Sequence, residues 1–382
     1  MAHVTPSQAI EQLTPTIAEV NLGALRANAR WIRQQAAPAH LLAVVKANAY
    51  GHGAIPVART LEEEGVSYFG VATVPEAIEL REAGITGRIL VMEAPLPEYL
   101  PAYERYGLDV NVPSLEIARW ITEHSTKELH VHVKLDTGLG RLGMPPKEAV
   151  EAIAALRQYV PPEHIALWTH LATADEPGSP FVREQVKRFR SVYEHVKDAV
   201  GLVHVAPSGG LLDFPDVLHL APGRTLVRAG LLLYGYAPAI GYSVQPDVVP
   251  VMRVETRIIQ IKTVEARTTV SYGRTWVAPD EAVIAVLAAG YADGYPRHAS
   301  NRAYVRIRSK RYPVVGMVCM DMTMVHLGHP RDVDPDIRVG DKALLFGPEG
   351  PDAAELAQWS DTISYEILCR VSPRVRRVYR DA

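Results

Sequence analysis

Cysteine and phenylalanine are scarce in this chain of 382 residues, with two of the first and five of the second. Two cysteines exclude a disulfide scaffold and a multi-cysteine zinc site, and they suit a reducing compartment. Neither sign of charge dominates: 40 Lys and Arg face 43 Asp and Glu, a formal net charge of −3. That balance argues against an extended footprint for nucleic acid or an anionic membrane. Long apolar runs are missing too. The longest, Ala282 to Ala289, falls far short of the roughly 18–20 residues a spanning helix needs. The opening stretch MAHVTPSQAIEQLTPT has neither the basic start nor the apolar centre of a secretory signal. A cytoplasmic protein with no nucleic-acid or membrane partner is therefore expected. Against these scarcities stands one surplus, 17 tyrosines. Phenylalanine would fill a core equally well, so the phenolic hydroxyls are candidates for a role of their own.

The hydrophobic share of 48% is enough for a sizeable core, and at roughly 100–200 residues per domain the length predicts two domains. Up to about residue 245, short apolar runs alternate with helical patterns. The runs are residues 41–46, 68–72, 89–92, 108–112, 129–135, 164–171, 202–206 and 225–233. Amphipathic segments at 74–83, 114–123, 147–158 and 181–200 lie between them. Strand then helix, repeated, implies a parallel sheet, and eight strands close a (β/α)8 TIM barrel. A helix at 22–35 precedes the first run, and an extended alternating piece at 16–21 precedes that helix. After Pro250 the pattern turns β-rich: 251–262, 268–272, 282–289, 303–308, 313–325 and 342–346, with one helix near 353–359. The expected fold is thus α/β, an N-terminal barrel over residues 15–247 followed by a mostly β C-terminal domain over 248–382, to which 1–14 are added.

Chemistry in a parallel barrel sits at the C-terminal ends of strands, so polar residues that end apolar runs are the candidates. Lys46 follows five apolar residues, Leu41 to Val45. A lysine there is a snorkelling side chain or, with its pKa lowered by burial, a nucleophile suited to Schiff-base chemistry. Alternation from His130 through His132 and Lys134 to Asp136 predicts one shared strand face, and the turn beyond delivers Arg141. His170 ends another run. Ser208 with Gly209 and Gly210, then Arg228 with Gly230 and Leu231, follow the last two strands, where barrels commonly place phosphate. A lysine nucleophile and a phosphate cradle on one barrel point to pyridoxal 5′-phosphate (PLP).

Together these residues resemble the alanine racemase family, PLP enzymes of fold type III. The resemblance runs from about Ala18 to Arg374 and rests on AVVKANAYGHG at 43–53, HVKLDTGLGRLG at 132–143, THLATADE at 169–176, VRAGLLLYG at 227–235, VSYG at 270–273, GYADGY at 290–295, VCMDM at 318–322 and SYE at 364–366. It implies that Lys46 holds PLP covalently and serves as one catalytic base. It implies that Tyr272, donated across a homodimer interface, is the other. Tyr50, Ser208, Gly230, Leu231 and Tyr365 would bind the cofactor's phosphate, and Arg228 would face the pyridine nitrogen with His170 beside it. Arg141 and Met320 would orient the substrate carboxylate, Lys134 matches a lysine that is carbamylated in many members, and Tyr291 and Asp321 would line the entrance. The implied activity is interconversion of L- and D-alanine, a small amino-acid substrate, supplying D-alanine for peptidoglycan. Two positions depart from the family pattern: Pro207-Ser208-Gly209 stands where Asn-Ser-Ala is usual, and Met317 where arginine is frequent.

Alternatives remain at this level. A racemase of serine, lysine or a broader set would share most of these residues. A metal-dependent barrel hydrolase would use His130, His132 and a carbamylated Lys134, but it leaves Lys46, Ser208 and Tyr272 without a role. A non-catalytic PLP carrier would lack the β domain, and a fold-type III decarboxylase would have a longer chain.

Overall fold

The computed structural model describes residues 13–381; residues 1–12 and 382 lie outside it, so the placement of 1–14 with the β domain falls almost wholly beyond the described residues. Two compact units are present. One comprises residues 25–49 and 53–248. The other comprises, among the described residues, 13–24, the three residues Tyr50–His52, and 249–381.

A strand of the second unit comes first, β1 (Ile17–Asn21), and eight strands of the first unit follow. They are β2 (His40–Val44), β3 (Tyr68–Val71), β4 (Arg88–Val91), β5 (Asp109–Val112), β6 (Val131–Lys134), β7 (Ile165–Trp168), β8 (Leu202–His204) and β9 (Leu226–Ala229). All neighbours are parallel, in the order β8-β7-β6-β5-β4-β3-β2-β9. Bridges Val203–Thr225 and Pro207–Arg228 join the two ends of that order, so the sheet closes. Helices cover its outside because their sequences demand it: Leu115–His124 and Pro180–Val196 each bury one apolar face, and Thr73 with Glu76 forms a capping box that starts the helix Val74–Glu82. Such a cap contributes about 1 kcal/mol. Inside, close approach dictates residue size. A Cβ on Gly70 would lie 2.5 Å from Met92 Cε and 2.9 Å from Leu42 Cδ2, so a larger residue there would have to displace the ends of those two side chains. The strand expected over 225–233 is shorter, because Gly230 breaks it and Leu231–Tyr234 forms a 3-10 turn.

The β-rich unit continues with β10 (Met252–Val264), β11 (Thr269–Val270), β12 (Trp276–Val277), β13 (Ala282–Leu287), β14 (Tyr304–Ile307), β15 (Lys310–Pro313), β16 (Thr323–Gly328), β17 (Lys342–Phe346) and β18 (Arg376–Arg380). β10 serves two sets of partners. Its first half pairs with β1 and β17, a register shift after Ile258 bends it, and its second half pairs with β13. β1 lies between β10 and β18, which corrects the barrel boundary at residue 15: strand hydrogen bonds assign residues 17–21 to the β unit, and the barrel unit begins at 25. The single strand expected over 313–325 is two strands separated by a loop. Gly316, at φ 70, turns the chain there and cannot continue a ladder. A second helix, Ser364–Cys369, was not expected. The arginine-rich tail forms β18, parallel to β1.

Candidate active site

β2 leads directly to Lys46. The chain then leaves the strand through four consecutive non-glycine residues, Ala47 to Tyr50, all at φ 53. Left-handed backbone costs L-residues roughly 1–2 kcal/mol each, so the turn must be held from outside. The Ala47 N–H donates to Glu76 Oε1 at 2.7 Å, and Asn48 Oδ1 accepts from the Ala54 N–H at 2.7 Å. The capping carboxylate of one barrel helix therefore fixes the residue after the lysine.

Lys46 shares its end of the barrel with three other cations. Lys134, at the end of β6, is buried with Nζ 3.9 Å from the centroid of the Trp168 ring, and the Arg228 guanidinium lies 5.0 Å from that centroid. Burial first, then the charges of Arg228 and Arg141, pull Lys134 down to about 7; Lys46 acts in the same direction and Asp136 opposes it. His170 is held well below its ordinary range by burial and by Arg228, Lys134, Arg141 and Lys46. Four cations repelling one another is a surplus of positive charge, and it matches an anionic ligand with a carbon for a neutral amine to attack.

Arg228 is buried, and burial lowers it to about 9, still a cation at neutral pH. Its two terminal nitrogens are fully engaged. Nη1 donates to His204 Nδ1 at 2.9 Å and to the His204 carbonyl at 2.8 Å. Nη2 donates to the carbonyls of Thr169 at 2.8 Å and Val205 at 3.0 Å and to His170 Nδ1 at 3.2 Å. Nε–H is left as the one donor of this guanidinium without a partner among the described residues. Behind it, His204 Nε2 lies 2.8 Å from His132 Nδ1, and His132 Nε2 lies 3.1 Å from Asp109 Oδ2. Both ring nitrogens of His132 are thus occupied, which removes the lone pair that the metal-hydrolase alternative requires. His130 is not beside it: it precedes β6 and packs on His164, ring centroids 3.9 Å apart. The shared face therefore holds His132 and Lys134 but not His130.

Ser208 opens a short helix, and its Oγ accepts the Gly230 N–H at 3.2 Å. The hydroxyl hydrogen is left to donate outward. Gly209 is obligatory here, since a Cβ would sit 1.9 Å from the Ala174 carbonyl oxygen. The departure to Pro207-Ser208-Gly209 therefore goes with a local close approach. Leu231 follows Gly230 at the start of its 3-10 turn. A serine hydroxyl and a glycine turn at the ends of strands that also carry the cation surplus fit a phosphate dianion, so this group suits PLP.

The β-rich unit gathers a second group. Tyr272 lies in the turn between β11 and β12, after Ser271 at φ 69, and is 72% exposed. Ser271 Oγ donates to the Met317 carbonyl at 2.6 Å, tying that turn to the loop carrying Cys319, Met320 and Asp321. Cys319 packs on the apolar cluster of Val270, Ile284 and Met324, while neighbouring Met320 is 53% exposed. The Tyr291 and Ala292 N–H groups donate to the carbonyls of Cys319 and Met320, both at 3.0 Å. Arg374 closes the arrangement with Nε and Nη2 on Asp293 at 2.7 and 2.9 Å and Nη2 on Asp321 at 2.9 Å. In the same unit the rings of Tyr50 and Tyr365 lie 5.9 Å apart, and burial pushes the Tyr50 phenol up, aided by Tyr365.

Asp109, Trp168 and His204 were not among the expected site residues. Their signal is polar side chains at alternate positions of strands otherwise apolar, such as Asp109 and Asn111 or His132 and Lys134, a pattern that places them on one face.

The chain matches "Alanine racemase, N-terminal domain" over residues 20–238 and "Alanine racemase, C-terminal domain" over 251–379. It is 42% identical to the alanine racemase of Chlorobaculum tepidum over 376 residues, covering 95% of this chain and 96% of that one. It is 40% identical to that of Symbiobacterium thermophilum, covering 97% and 98%. Among solved structures, alanine racemase from Streptomyces coelicolor A3(2) superposes with a TM-score of 0.87 at 35% identity, covering 98% of this chain and 100% of that one.

Proposed function

The chain belongs to the alanine racemase family, and from that premise we propose that it interconverts L- and D-alanine by a PLP-dependent, two-base reaction in a homodimer. The observation that carries the cofactor reading is the cation surplus around Lys46, Lys134, Arg141 and Arg228, set beside the Ser208–Gly230 amide and hydroxyl group. When bound, PLP supplies the electron sink that acidifies the substrate Cα–H. Lys46 would hold the cofactor covalently; Ser208, the backbone at Gly230 and Leu231, Tyr50 and Tyr365 would hold its phosphate; and Arg228 would turn its Nε–H to the pyridine nitrogen. Because guanidinium does not give up that proton, Arg228 would leave a ring nitrogen facing it unprotonated and the sink weak.

Racemisation removes a proton from one face of Cα and returns one to the other, so two bases must flank it. Lys46 serves one face. Tyr272 from the second subunit serves the other, a role supported by its exposed position in a single chain. Met320 accompanies it and, with Arg141, binds the substrate carboxylate. Tyr291 and Asp321 line the entrance. The lowered Lys134 amine is a nucleophile for carbon dioxide near neutral pH, and carbamylation would turn one member of the cation cluster into an anion that holds Arg141. Tyr365 and Met320 narrow the pocket to a methyl side chain, although an apolar pocket discriminates weakly against one added hydroxyl. The physiological reading is a cytoplasmic enzyme supplying D-alanine for peptidoglycan.

Racemisation assays with L-alanine, L-serine and L-lysine after addition of PLP test this directly. Alanine is expected to turn over fastest; rapid turnover of lysine with none of alanine overturns the assignment. Tyr272→Phe is expected to bind PLP yet lose most activity starting from L-alanine, and full activity in that variant contradicts the two-base scheme.

A further inference from the structure

Arg228 holds a buried positive charge with no carboxylate in contact among the described residues; the nearest one in its hydrogen-bond network lies two imidazoles away. We infer that Asp109 is a positioning residue: it fixes the proton order along the chain Arg228–His204–His132–Asp109, and so fixes how the guanidinium presents Nε–H to the cofactor. The inference rests on the assignment of Arg228 to the pyridine nitrogen.

The two ends of the chain, a guanidinium that only donates and a carboxylate that only accepts, select the same order. A guanidinium only donates, so His204 Nδ1, 2.9 Å from Nη1, must be an acceptor. A neutral His204 then carries its proton on Nε2 and donates to His132 Nδ1 at 2.8 Å. His132 in turn carries its proton on Nε2, which points at Asp109 Oδ2 at 3.1 Å. Only an acceptor can end such a chain, and an ionised carboxylate has no other function in a hydrogen bond. The opposite order would set a His204 Nδ1–H against a guanidinium N–H.

Charge agrees with geometry. Burial and the Arg228 cation hold His204 well below its ordinary range; burial likewise lowers His132, against the pull of Asp109. Both rings stay neutral, as one proton per imidazole requires. For Asp109, burial acts to raise the carboxyl, but the His132 hydrogen bond and the Arg88 charge outweigh it. Arg88 reaches the same oxygen with Nη2 at 2.8 Å and Nε at 3.1 Å. Trp168 stacks on His204, centroids 5.0 Å apart and planes 17° apart, which blocks rotation of that ring. The carboxylate thus acts on Arg228 through two locked rings, as a buried aspartate sets the tautomer of a catalytic histidine.

Two-bond nitrogen–proton spectra of 15N-histidine-labelled protein read the tautomers, first in the cofactor-free wild type, where no variant has to fold. His132 and His204 are expected as Nε2–H tautomers; Nδ1–H at either ring overturns the inference. In Asp109→Asn the amide can turn its NH2 to His132 Nε2 as readily as its oxygen, so that end of the chain competes with Arg228 instead of agreeing with it. An Nδ1–H population should appear at His132, kcat should fall about tenfold or more with PLP still bound, and Asp109→Glu should restore part of it. Wild-type tautomers in Asp109→Asn, or altered tautomers with unchanged kcat, also overturn it. Failure of the wild type to bind PLP refutes the cofactor assignment instead, and the tautomers of the cofactor-free protein remain a separate result.

Discussion

Lys134 carries the most exposed consequence at the scale of single residues. Its amine is lowered to about 7 in the folded chain against 10.5 when unfolded, through burial and the neighbouring Arg228 and Arg141 charges. Below about 7 both states are charged and the burial penalty is whole. As pH rises toward 10.5 the unfolded chain holds the extra proton, so stability increases over that window. Thermal midpoints in bicarbonate-free buffer should therefore climb for the wild type relative to Lys134→Met between those two values; parallel curves would refute the depressed pKa. The lysines themselves were legible, since Lys46 and Lys134 each interrupt an apolar run at a strand end. Asp109 and His204 were not, because nothing in a four-residue strand tells which polar side chain finds a partner on the next one. Tertiary contact decides that, and here it chains five strands' side chains from Arg88 to Arg228.

Elements were legible wherever one strong local signal sets them. The eight barrel strands stand out as short apolar runs, and the helix at 74–82 announces itself by Thr73 and Glu76 three residues apart. Residues 17–21 alternate like any half-buried strand, and alternation does not say which sheet will accept them; partners more than 200 residues away settle it. The turn after Lys46 was hidden for a different reason. Lys-Ala-Asn-Ala reads as ordinary helix-forming sequence, yet the chain takes the opposite hand at Ala47, Asn48 and Ala49. Glu76 and Ala54 impose it, and the strain is stored next to the proposed nucleophile. Ala47 is exposed, so glycine there should relieve backbone strain without loss of packing. Ala47→Gly should stabilise the protein by about 1 kcal/mol, and Ala47→Val should destabilise it, in equilibrium denaturation. A less stable glycine variant would mean that the left-handed turn is not populated in solution.

For the whole molecule, the division of labour between units is the consequential feature. Lys46, Arg228 and Ser208 belong to the barrel unit; Tyr272, Met320 and Tyr365 belong to the β-rich unit. Tyr272, Met320 and Tyr291 are also substantially exposed in one chain, an unusual state for large apolar side chains grouped around one loop. A symmetric dimer in which each β-rich unit completes the partner's site gives those side chains a use. Complementation separates this arrangement from self-contained sites. Lys46→Ala and Tyr272→Phe, each nearly inactive alone, are mixed under conditions that exchange subunits. If one chain's Lys46 works with its partner's Tyr272, each hybrid dimer has one site with both substitutions and one with neither. Hybrids make up half of a random mixture, so activity should recover to about a quarter of wild type. If each chain supplies both bases to its own site, every site in the mixture carries one substitution and no activity returns. Size-exclusion chromatography with light scattering should find a dimer in the wild type and in both variants, and a monomer in any of them would refute the shared-site arrangement.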